Sequence, residues 1–321
     1  MTAKPWQTSA ALLVSVVLMA LAALVPRSVQ AVPSYARQTG VDCVTCHVGG
    51  FGPYYTPYGI RFKIGGYTLS DGKEGKIPLS AMANASWTHT EKGQNPPPEH
   101  FSGNNNGTLQ EASVFLAGRL TDHLGAFVQS TYSGIDRKSA LDNVDIRYAR
   151  PLRLGEKETI VGLSLNNNPT VQDPFNTLPA FRFPFISSAL VPRFSTPFVE
   201  NLAQSVIGIN GYTFWDNRLY GEVGIYNSLS KTALNMINAD DAGRFKGLAP
   251  YWRLAYFKDR GQDNFLIGLF GFNVDNQPDR GALGTTDRYR DIGIDAAYQY
   301  LGGRQHIFTA TTSYVRERQR L

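Results

Sequence analysis

The sequence contains only two cysteines in 321 residues, which excludes a disulfide framework as the source of its stability. Charged residues make up 18% of the chain, and the formal net charge of +5 is not gathered into a lysine or arginine stripe, so nucleic acid has little to bind. Long apolar runs are missing beyond the first 31 residues, which excludes a bundle of transmembrane helices. The abundance of glycine and aromatic residues, with 42% hydrophobic residues, excludes disorder.

The first 31 residues have the three parts of a secretory signal. Lys4 supplies the charged start, an apolar stretch runs from Ala10 to Val25, and Val29-Gln30-Ala31 is a cleavage site of the small-x-small type. We expect cleavage after Ala31, which places the mature chain outside the cytoplasm. The alternative, an uncleaved anchor, is disfavoured because the run of about 15 apolar residues is shorter than the roughly 20 that a spanning helix needs.

The two cysteines stand in the sequence Cys43-Val44-Thr45-Cys46-His47, which is the C-x-x-C-H attachment motif of c-type haem. Two thiols at this spacing bond to two vinyl-derived carbons of the porphyrin, and the adjacent imidazole of His47 ligates the iron. The alternatives are a redox C-x-x-C or half of a zinc site. A redox motif needs a thioredoxin-like βαβ context and a zinc site needs further ligands, and the neighbouring sequence offers neither. The motif therefore predicts one covalent haem c.

The segment that carries the motif, residues 32–78, is short and rich in glycine, tyrosine and proline. A chain of fewer than about 50 residues rarely forms a stable core alone, so another part of the protein must help to enclose the haem. Arg37, Arg61 and Lys63 are candidates to pair with the haem propionates, or else they are solvated surface cations.

Residues 79–321 alternate apolar and polar side chains with a period of two, which predicts β-strands. We count about eleven strands of the length found in outer-membrane barrels. The predicted strands are 79–90, 109–120, 124–133, 142–151, 158–166, 204–214, 218–227, 250–258, 264–274, 288–300 and 304–315.

The connections between these strands alternate between short turns and long loops, which is typical of an outer-membrane antiparallel β-barrel. Aromatic residues near the strand ends suit the two membrane interfaces. A soluble β-sandwich is the alternative. The long loops are 91–108, 134–141, 167–203, 228–249 and 275–287. With the haem segment in the periplasm as an N-terminal plug, the short turns face the periplasm and the long loops face the outside.

Three stretches resemble a known family. They are Pro33 to Gly40 (PSYARQTG) before the C-x-x-C-H motif, Tyr58 to Lys63 (YGIRFK) and Gly65 to Leu69 (GGYTL). Over roughly residues 33–70 the sequence is similar to the fused outer-membrane monohaem cytochrome-porins of iron-oxidising bacteria. The resemblance implies oxidation of extracellular Fe(II), transfer of the electron to a periplasmic carrier such as a c-type cytochrome, and a barrel of about sixteen strands in outer-membrane lipid.

An odd strand count and the charged ending Arg316 to Leu321 predict a barrel that is incomplete at its C-terminus, unless one strand has been miscounted. The expected organisation is a signal peptide at 1–31, a monohaem cytochrome c segment at 32–78 and a transmembrane β-barrel at 79–321.

The second axial ligand of the iron is expected on the first strand. If Ala81, Ala83, Ala85 and Trp87 face lipid, then Met82 faces the lumen, and its thioether is a possible ligand that would raise the reduction potential. Met82 could equally serve only to pack against the plug. If the opposite face points inward, His89 replaces it. Two further histidines lie in a long loop (His100) and a short turn (His123), so we favour Met82.

External loops offer carboxylates and an imidazole for a donor metal, but no pair has the spacing of a site, and we predict none there. The residues are Glu91, Glu99, His100, Asp136, Asp173, Asp240 and Asp241. The sequence therefore predicts an electron-transfer protein with possible Fe(II) oxidase activity and no acid–base catalytic residues. The alternatives are a solute porin with a haem-bearing plug, a barrel cytochrome with another donor, and a periplasmic cytochrome with a soluble β domain.

Overall fold

The computed structural model describes residues 33–50, 52–178, 188–191, 196–281, 286–303 and 306–321. The predicted signal peptide, residues 1–31, lies outside the described residues. Within the described ranges no helix is long and apolar enough to cross a membrane.

Three short helices form the N-terminal segment. They are α1 (Pro33–Thr39), α2 (Cys43–Cys46) and α3 (Pro57–Ile64), with a 3₁₀ turn at Val48–Gly50. Proline begins both α1 and α3, where its fixed φ and missing N–H cost nothing. The side chain of Thr56 caps α3 by accepting a hydrogen bond from the Gly59 amide at 3.3 Å.

The rest of the described chain is mostly strand. The strands are β1 (Leu79–Thr88), β2 (Asn106–Arg119), β3 (Leu124–Ser133), β4 (Lys138–Leu154), β5 (Lys157–Asn166), β6 (Val206–Trp215), β7 (Leu219–Ser228), β8 (Arg244–Phe245), β9 (Ala249–Asp259), β10 (Asp263–Gln277), β11 (Asp287–Tyr300) and β12 (Phe308–Arg320). Each of the eleven strands expected from the sequence is present, with ends shifted by a few residues.

The sequence analysis missed two small elements in the predicted loop 228–249. They are the helix α4 (Lys231–Ile237) and the two-residue strand β8. Ser230 caps α4 by accepting a hydrogen bond from the Ala233 amide at 3.2 Å. Both elements are too short to produce a periodic pattern in the sequence.

All strands belong to one antiparallel sheet in which each strand pairs with the next along the chain, apart from β8, which pairs with β10. In the described residues β1 pairs only with β2 and β12 only with β11, so no pairing joins the two edges. Half of the predicted loop 134–141 is strand, because β4 begins at Lys138 and only residues 134–137 connect it to β3.

The sheet has two faces of opposite character. On the outer face, large aliphatic side chains are exposed and lie next to one another across strands; Leu254, for example, is paired with Leu269, which is paired with Ile294. On the inner face, charged and aromatic side chains are buried. The inner-face charges include Asp145, Arg147, Glu222, Arg253 and Asp295. This arrangement inverts that of a water-soluble sheet, whose buried face is apolar.

The sheet curves around the N-terminal segment, because this segment contacts strands from both ends of the sheet. Tyr35 donates a hydrogen bond to the carbonyl of Ala126 in β3 at 2.9 Å. Gln299 in β11 donates to the carbonyl of Tyr55 at 3.0 Å. The buried apolar clusters therefore lie between the N-terminal segment and the inner face, or further along that face.

One long connection also lies on the inner face. Residues 167–178, which follow β5, are buried except for Asn176 and Thr177, which are half-buried. The sequence analysis placed this connection among the loops on the outer side of the membrane and did not foresee that its first part is buried against the inner face. These residues run inward because their polar side chains find partners there; Gln172, for example, lies near Glu222 of β7 at 3.4 Å. We call residues 167–178 the inner loop.

Candidate functional site

The C-x-x-C-H motif forms a single helical turn that directs both cysteines to one side. Cys43 and Cys46 are three residues apart in α2, and residues at this spacing share a helix face. The amide of His47 donates to the carbonyl of Cys43 at 2.8 Å, which ends the turn with His47 directly after it. The backbone therefore brings two thiols and an imidazole together. Both cysteines are free.

A short bridge fixes His47 against the start of α3. His47 pairs with Tyr55 in an antiparallel β-bridge, and the amide of Thr56 donates to the carbonyl of Cys46 at 2.9 Å. The ring centroids of His47 and Tyr55 are 5.0 Å apart. The backbone position of His47 is thus fixed on both sides of the motif.

Glycine is required where α3 crosses α2. A Cβ atom at Gly59 would lie 2.3 Å from the carbonyl oxygen of Cys46, a distance that no side chain can occupy. Gly59 belongs to the YGIRFK stretch, so the close approach of the two helices gives one physical reason for a residue of that stretch.

Burial controls the protonation of the motif. It raises the pKa of Cys46 to about 11 and also raises the pKa of Cys43. It lowers the pKa of His47 to about 4, with a smaller contribution from the charge of Lys63. His47 is therefore neutral at pH 7, the form in which imidazole binds metals. Its Nδ1 atom is buried and has no hydrogen-bond partner among the described residues.

The motif lines a cavity between the N-terminal segment and the inner face. The cavity is partly open to solvent. Cys43, Cys46 and His47 line it together with many aromatic side chains. The aromatic lining residues are Tyr35, Tyr55, Phe62, Tyr67, Phe115 and Phe127. An apolar cavity with a few polar groups is the usual form of a cofactor site.

Met82 lines the same cavity. In β1 the odd-numbered side chains are exposed and the even-numbered ones are half-buried, which is the alternation assumed in the sequence analysis. Met82 packs against the buried cluster that contains Phe62 and Phe115. Both roles considered for Met82, binding the iron and packing against the N-terminal segment, require it to line the cavity. That Met82 binds the iron stays a prediction.

Three further histidines, which the sequence analysis considered as ligands, lie away from the cavity. His89 is exposed and its Nδ1 atom is 2.7 Å from Oδ1 of Asn105. His100 is exposed beside Glu99, and the ring of His123 packs at 6.0 Å from that of Tyr148. None of the three is among the residues that line the cavity.

The three candidate cations have different surroundings. Arg37 is exposed and donates to the carbonyls of Ile77 and Leu79. Arg61 is partly exposed and lies 2.8 Å from the carboxylate of Asp259. These two cations do not line the cavity in the described structure, whereas Lys63 does.

Lys63 is buried, so its interpretation as a solvated surface cation is wrong. Its ammonium donates to the carbonyls of Val171 and Asp173 at 2.6 and 2.9 Å and to Oδ1 of Asn176 at 3.2 Å. Burial, with a smaller contribution from the nearby charge of Arg147, lowers the pKa of Lys63 to about 7. Lys63 thus ties α3 to the inner loop at the wall of the cavity.

Asp173, one of the carboxylates expected in an external loop, is also buried. Its Oδ1 atom lies 2.9 Å from Nε of Arg253, and its Oδ2 atom accepts a hydrogen bond from the Thr177 amide at 2.9 Å. It is therefore not available to a metal ion outside the protein. Within the described residues no cluster of three or more His, Cys, Asp or Glu side chains could hold a metal ion.

The sequence analysis missed the aromatic wall of the cavity. Phe115 and Phe127 lie on the inner faces of β2 and β3, with ring centroids 5.8 Å apart. The ring of Tyr35 stacks on that of Tyr67 at 5.4 Å. Phe115 occupies an odd-numbered position in β2, on the face that also carries Glu111 and Ser113, and this exception to the polar pattern was the available signal.

A charged group supports the wall from the inner face. Nε of Arg147 donates to Oδ2 of Asp145 at 2.8 Å, and the hydroxyl of Tyr67 donates to the same oxygen at 2.6 Å. Oδ1 of Asp145 accepts from the hydroxyl of Ser164 at 2.9 Å. The Asp145 carboxylate is therefore fully partnered, and it holds Tyr67 in place beside the cavity.

Comparison of the chain with protein-family models, with curated proteins and with solved structures found no match.

Proposed function

We propose that this protein is an outer-membrane electron-transfer protein that carries one covalent haem c in the cavity described above. On this proposal the sheet is part of a membrane β-barrel, with the N-terminal segment and the inner loop inside it. The observation that carries the proposal is the C-x-x-C-H motif, whose two thiols and neutral imidazole line a cavity walled by aromatic side chains.

The membrane location is supported by the outer face. Val223 is 68% exposed and Leu254 is 57% exposed, although both lie in the middle of long strands. Exposed aliphatic side chains continue across β5, β6, β7, β9, β10 and β11, a larger apolar surface than soluble monomers usually present. An apolar outward band around a polar interior is the pattern of transmembrane barrels.

The residues of the cavity fit a haem c. Cys43 and Cys46 would hold it through thioether bonds, and His47 and, on our prediction, Met82 would bind its iron. When bound, haem c supplies a one-electron redox centre. The aromatic residues and Met82 would limit the access of water to it, and the bridge between His47 and Tyr55 would hold the backbone of the ligand in place.

The proposed direction of transfer follows from the family resemblance of residues 33–70. The donor would be extracellular Fe(II), and the acceptor a periplasmic c-type cytochrome. A solute porin is the weaker alternative, because the N-terminal segment and the inner loop fill the inner face that a solute would have to pass. A barrel cytochrome that uses another donor would need the same cavity, so the donor must be identified by experiment.

The experiment is an anaerobic titration with Fe(II) of outer membranes that contain the full-length protein, solubilised in detergent, with the haem c absorption bands as the readout. The His47→Ala variant is the control. We expect Fe(II) to reduce the haem of the wild-type protein rapidly, and not to do so in the variant. If dithionite reduces the haem and Fe(II) does not, the assignment of iron as donor is wrong.

A further inference from the structure

The outer face carries a cluster of arginines at the end of the sheet where β10 connects to β11. Arg288 and Arg290 occupy alternate positions in β11, and Arg316, Arg318 and Arg320 do so in β12. Antiparallel pairing places Arg290 opposite Arg318 and Arg288 opposite Arg320. The sequence analysis found no cationic stripe, and this was wrong: the two sets are about 30 residues apart in the chain and only the strand pairing brings them together.

Within the described residues, only Arg288 of these five arginines forms an ion pair, and its partner Asp275 also attracts Arg290 electrostatically. Arg288 pairs with Asp275 through two contacts of 2.7 and 3.1 Å. In the described part of the chain no carboxylate forms an ion pair with Arg290, Arg316 or Arg318. Like charges directly opposite each other destabilise a sheet, so this arrangement favours an anionic partner.

The carboxylates of the same strands point to the inner face. Asp291 accepts a hydrogen bond from the Val199 amide at 3.0 Å, and Glu317 accepts one from the Phe198 amide at 2.5 Å. Alternation along β11 and β12 thus separates the charges, with the acidic side chains inside and the basic ones outside.

An apolar groove continues from the arginines toward the middle of the outer face. Leu269, Ile292 and Ile294 line it together with Arg290, Arg316 and Arg318. Ile292 is 60% exposed and lies directly opposite Arg316. A ligand that fits this surface has an anionic head and an apolar tail that runs along the strands.

We propose that this groove binds a phosphorylated anionic lipid, with the guanidinium groups of Arg290, Arg316 and Arg318 on its phosphates and its acyl chains along Leu269, Ile292 and Ile294. Guanidinium forms paired hydrogen bonds with phosphate oxygens. The inference rests on the membrane location given under the proposed function, because an acyl chain reaches the outer face only where that face is in lipid.

A membrane lipid fits this surface better than a free phosphate ion does. The arginines are exposed, and an exposed guanidinium in water holds an isolated anion weakly. At a membrane surface, each basic side chain adds to the attraction of an anionic lipid, and the apolar groove adds contact with its chains. The arginines lie at the end of the apolar band, which in a membrane is the depth of the lipid head groups.

The test compares binding of bis-phosphorylated lipid A with that of its dephosphorylated form to the full-length protein in neutral detergent micelles. The variant is Arg290→Gln/Arg318→Gln. The matched control is Arg150→Gln/Arg153→Gln, which removes two exposed arginines from β4 at the opposite end of the sheet. We expect the variant to bind the phosphorylated lipid about tenfold more weakly, and the control to bind it as the wild type does.

Three results would overturn the inference. The first is an equal affinity of the wild type for both forms of the lipid. The second is an equal loss of affinity for the phosphorylated lipid in the control variant. The third is displacement of the lipid by inorganic phosphate at a concentration equal to that of the lipid phosphates. Flotation with neutral phosphatidylcholine vesicles tests the membrane location separately, because it does not need the arginines. Failure to float would overturn the location and the inference together, whereas flotation without selective lipid binding would overturn the inference alone.

Discussion

Neighbouring residues on the two faces of the sheet have opposite properties. In β9, Arg253 is fully buried and the next residue, Leu254, is 57% exposed. In β7, Glu222 is buried and Val223 is 68% exposed. A sheet that faced water on its outer side would gain free energy by exchanging these residues. The exposed aliphatic face is the one that the proposed membrane location requires, and the inner face is held by paired charges and by the N-terminal segment.

The largest expected effect comes from breaking a buried charge group on the inner face. Arg253 lies 2.9 Å from Asp173 and 2.9 Å from Asp295, so Arg253→Met leaves two buried carboxylates without their cation. We expect a loss of about 3–5 kcal/mol in the free energy of unfolding, because uncompensated buried charge is costly. Urea unfolding in detergent micelles, followed by tryptophan fluorescence, measures it.

The control for Arg253→Met is Arg150→Met, at an exposed position of β4, for which we expect a change within about 0.5 kcal/mol. An equally small loss for Arg253→Met would mean that the buried charges do not hold the inner face together.

A smaller effect is expected from placing a charge on the outer face. Val223→Arg would put a cation in the middle of the apolar band, at a cost of about 2–4 kcal/mol if that face is in lipid. Folding into phosphatidylcholine vesicles, with urea unfolding of the folded fraction, measures it. Leu248→Arg, just before β9 and 59% exposed, is the matched control at the end of the band and should cost about 0–1 kcal/mol. If neither variant loses a measurable part of its free energy of unfolding, the outer face is in water.

Lys63 connects the N-terminal segment to the inner loop, so Lys63→Met tests the contact between them. The substitution leaves the carbonyls of Val171 and Asp173 without a donor, and we expect a loss of about 1–3 kcal/mol in the free energy of unfolding. Lys73→Met, at an exposed position, is the control and should change little.

The effect of Lys63→Met should depend on pH. The folded-state pKa of Lys63 is lowered to about 7, while the unfolded value stays near 10.5. Between these values the unfolded chain binds a proton that the folded chain does not, so the wild type gains stability as pH rises, by up to about 1.4 kcal/mol per pH unit. The free energy of unfolding of the wild type minus that of the variant should therefore grow from pH 7 toward pH 10.5. A difference that shrinks over this interval would contradict a lowered pKa for Lys63 in the folded protein.

The smallest effect on stability is expected for Met82→Leu, since the two side chains have similar volumes and such exchanges usually cost less than about 1.5 kcal/mol. If Met82 binds the iron, the variant should still change the absorption spectrum of the oxidised haem and lower its reduction potential. His89→Ala, outside the cavity, should leave both unchanged. A spectrum and potential that do not respond to Met82→Leu would assign Met82 to packing alone.

The sequence predicted the strands well because a period of two survives wherever one face differs from the other. It also predicted that Met82 faces inward, from the parity of β1. It did not predict that residues 167–178 turn inward. A connection without alternating apolar and polar residues does not indicate which face of the sheet it contacts. For the same reason Asp173 was expected in an external loop.

The candidate site divides in the same way. The C-x-x-C-H motif and its single-turn geometry follow from local sequence, since Cys43, Cys46 and His47 are within five residues of one another. The cavity wall depends on contacts between distant residues, such as Tyr67 with Asp145, which are 78 positions apart. Lys63 was misjudged as a possible surface cation because its three acceptors belong to the inner loop and to no neighbour in the sequence.

The central claim is that the inner cavity holds one haem bound covalently through Cys43 and Cys46. Intact-mass measurement of the full-length protein, produced in a host that attaches c-type haem and then denatured, tests it directly, beside the Cys43→Ser/Cys46→Ser variant. We predict the mass of the processed chain plus one haem for the wild type, and the mass of the chain alone for the variant. A wild-type protein that folds in membranes but has the mass of the chain alone would contradict the claim.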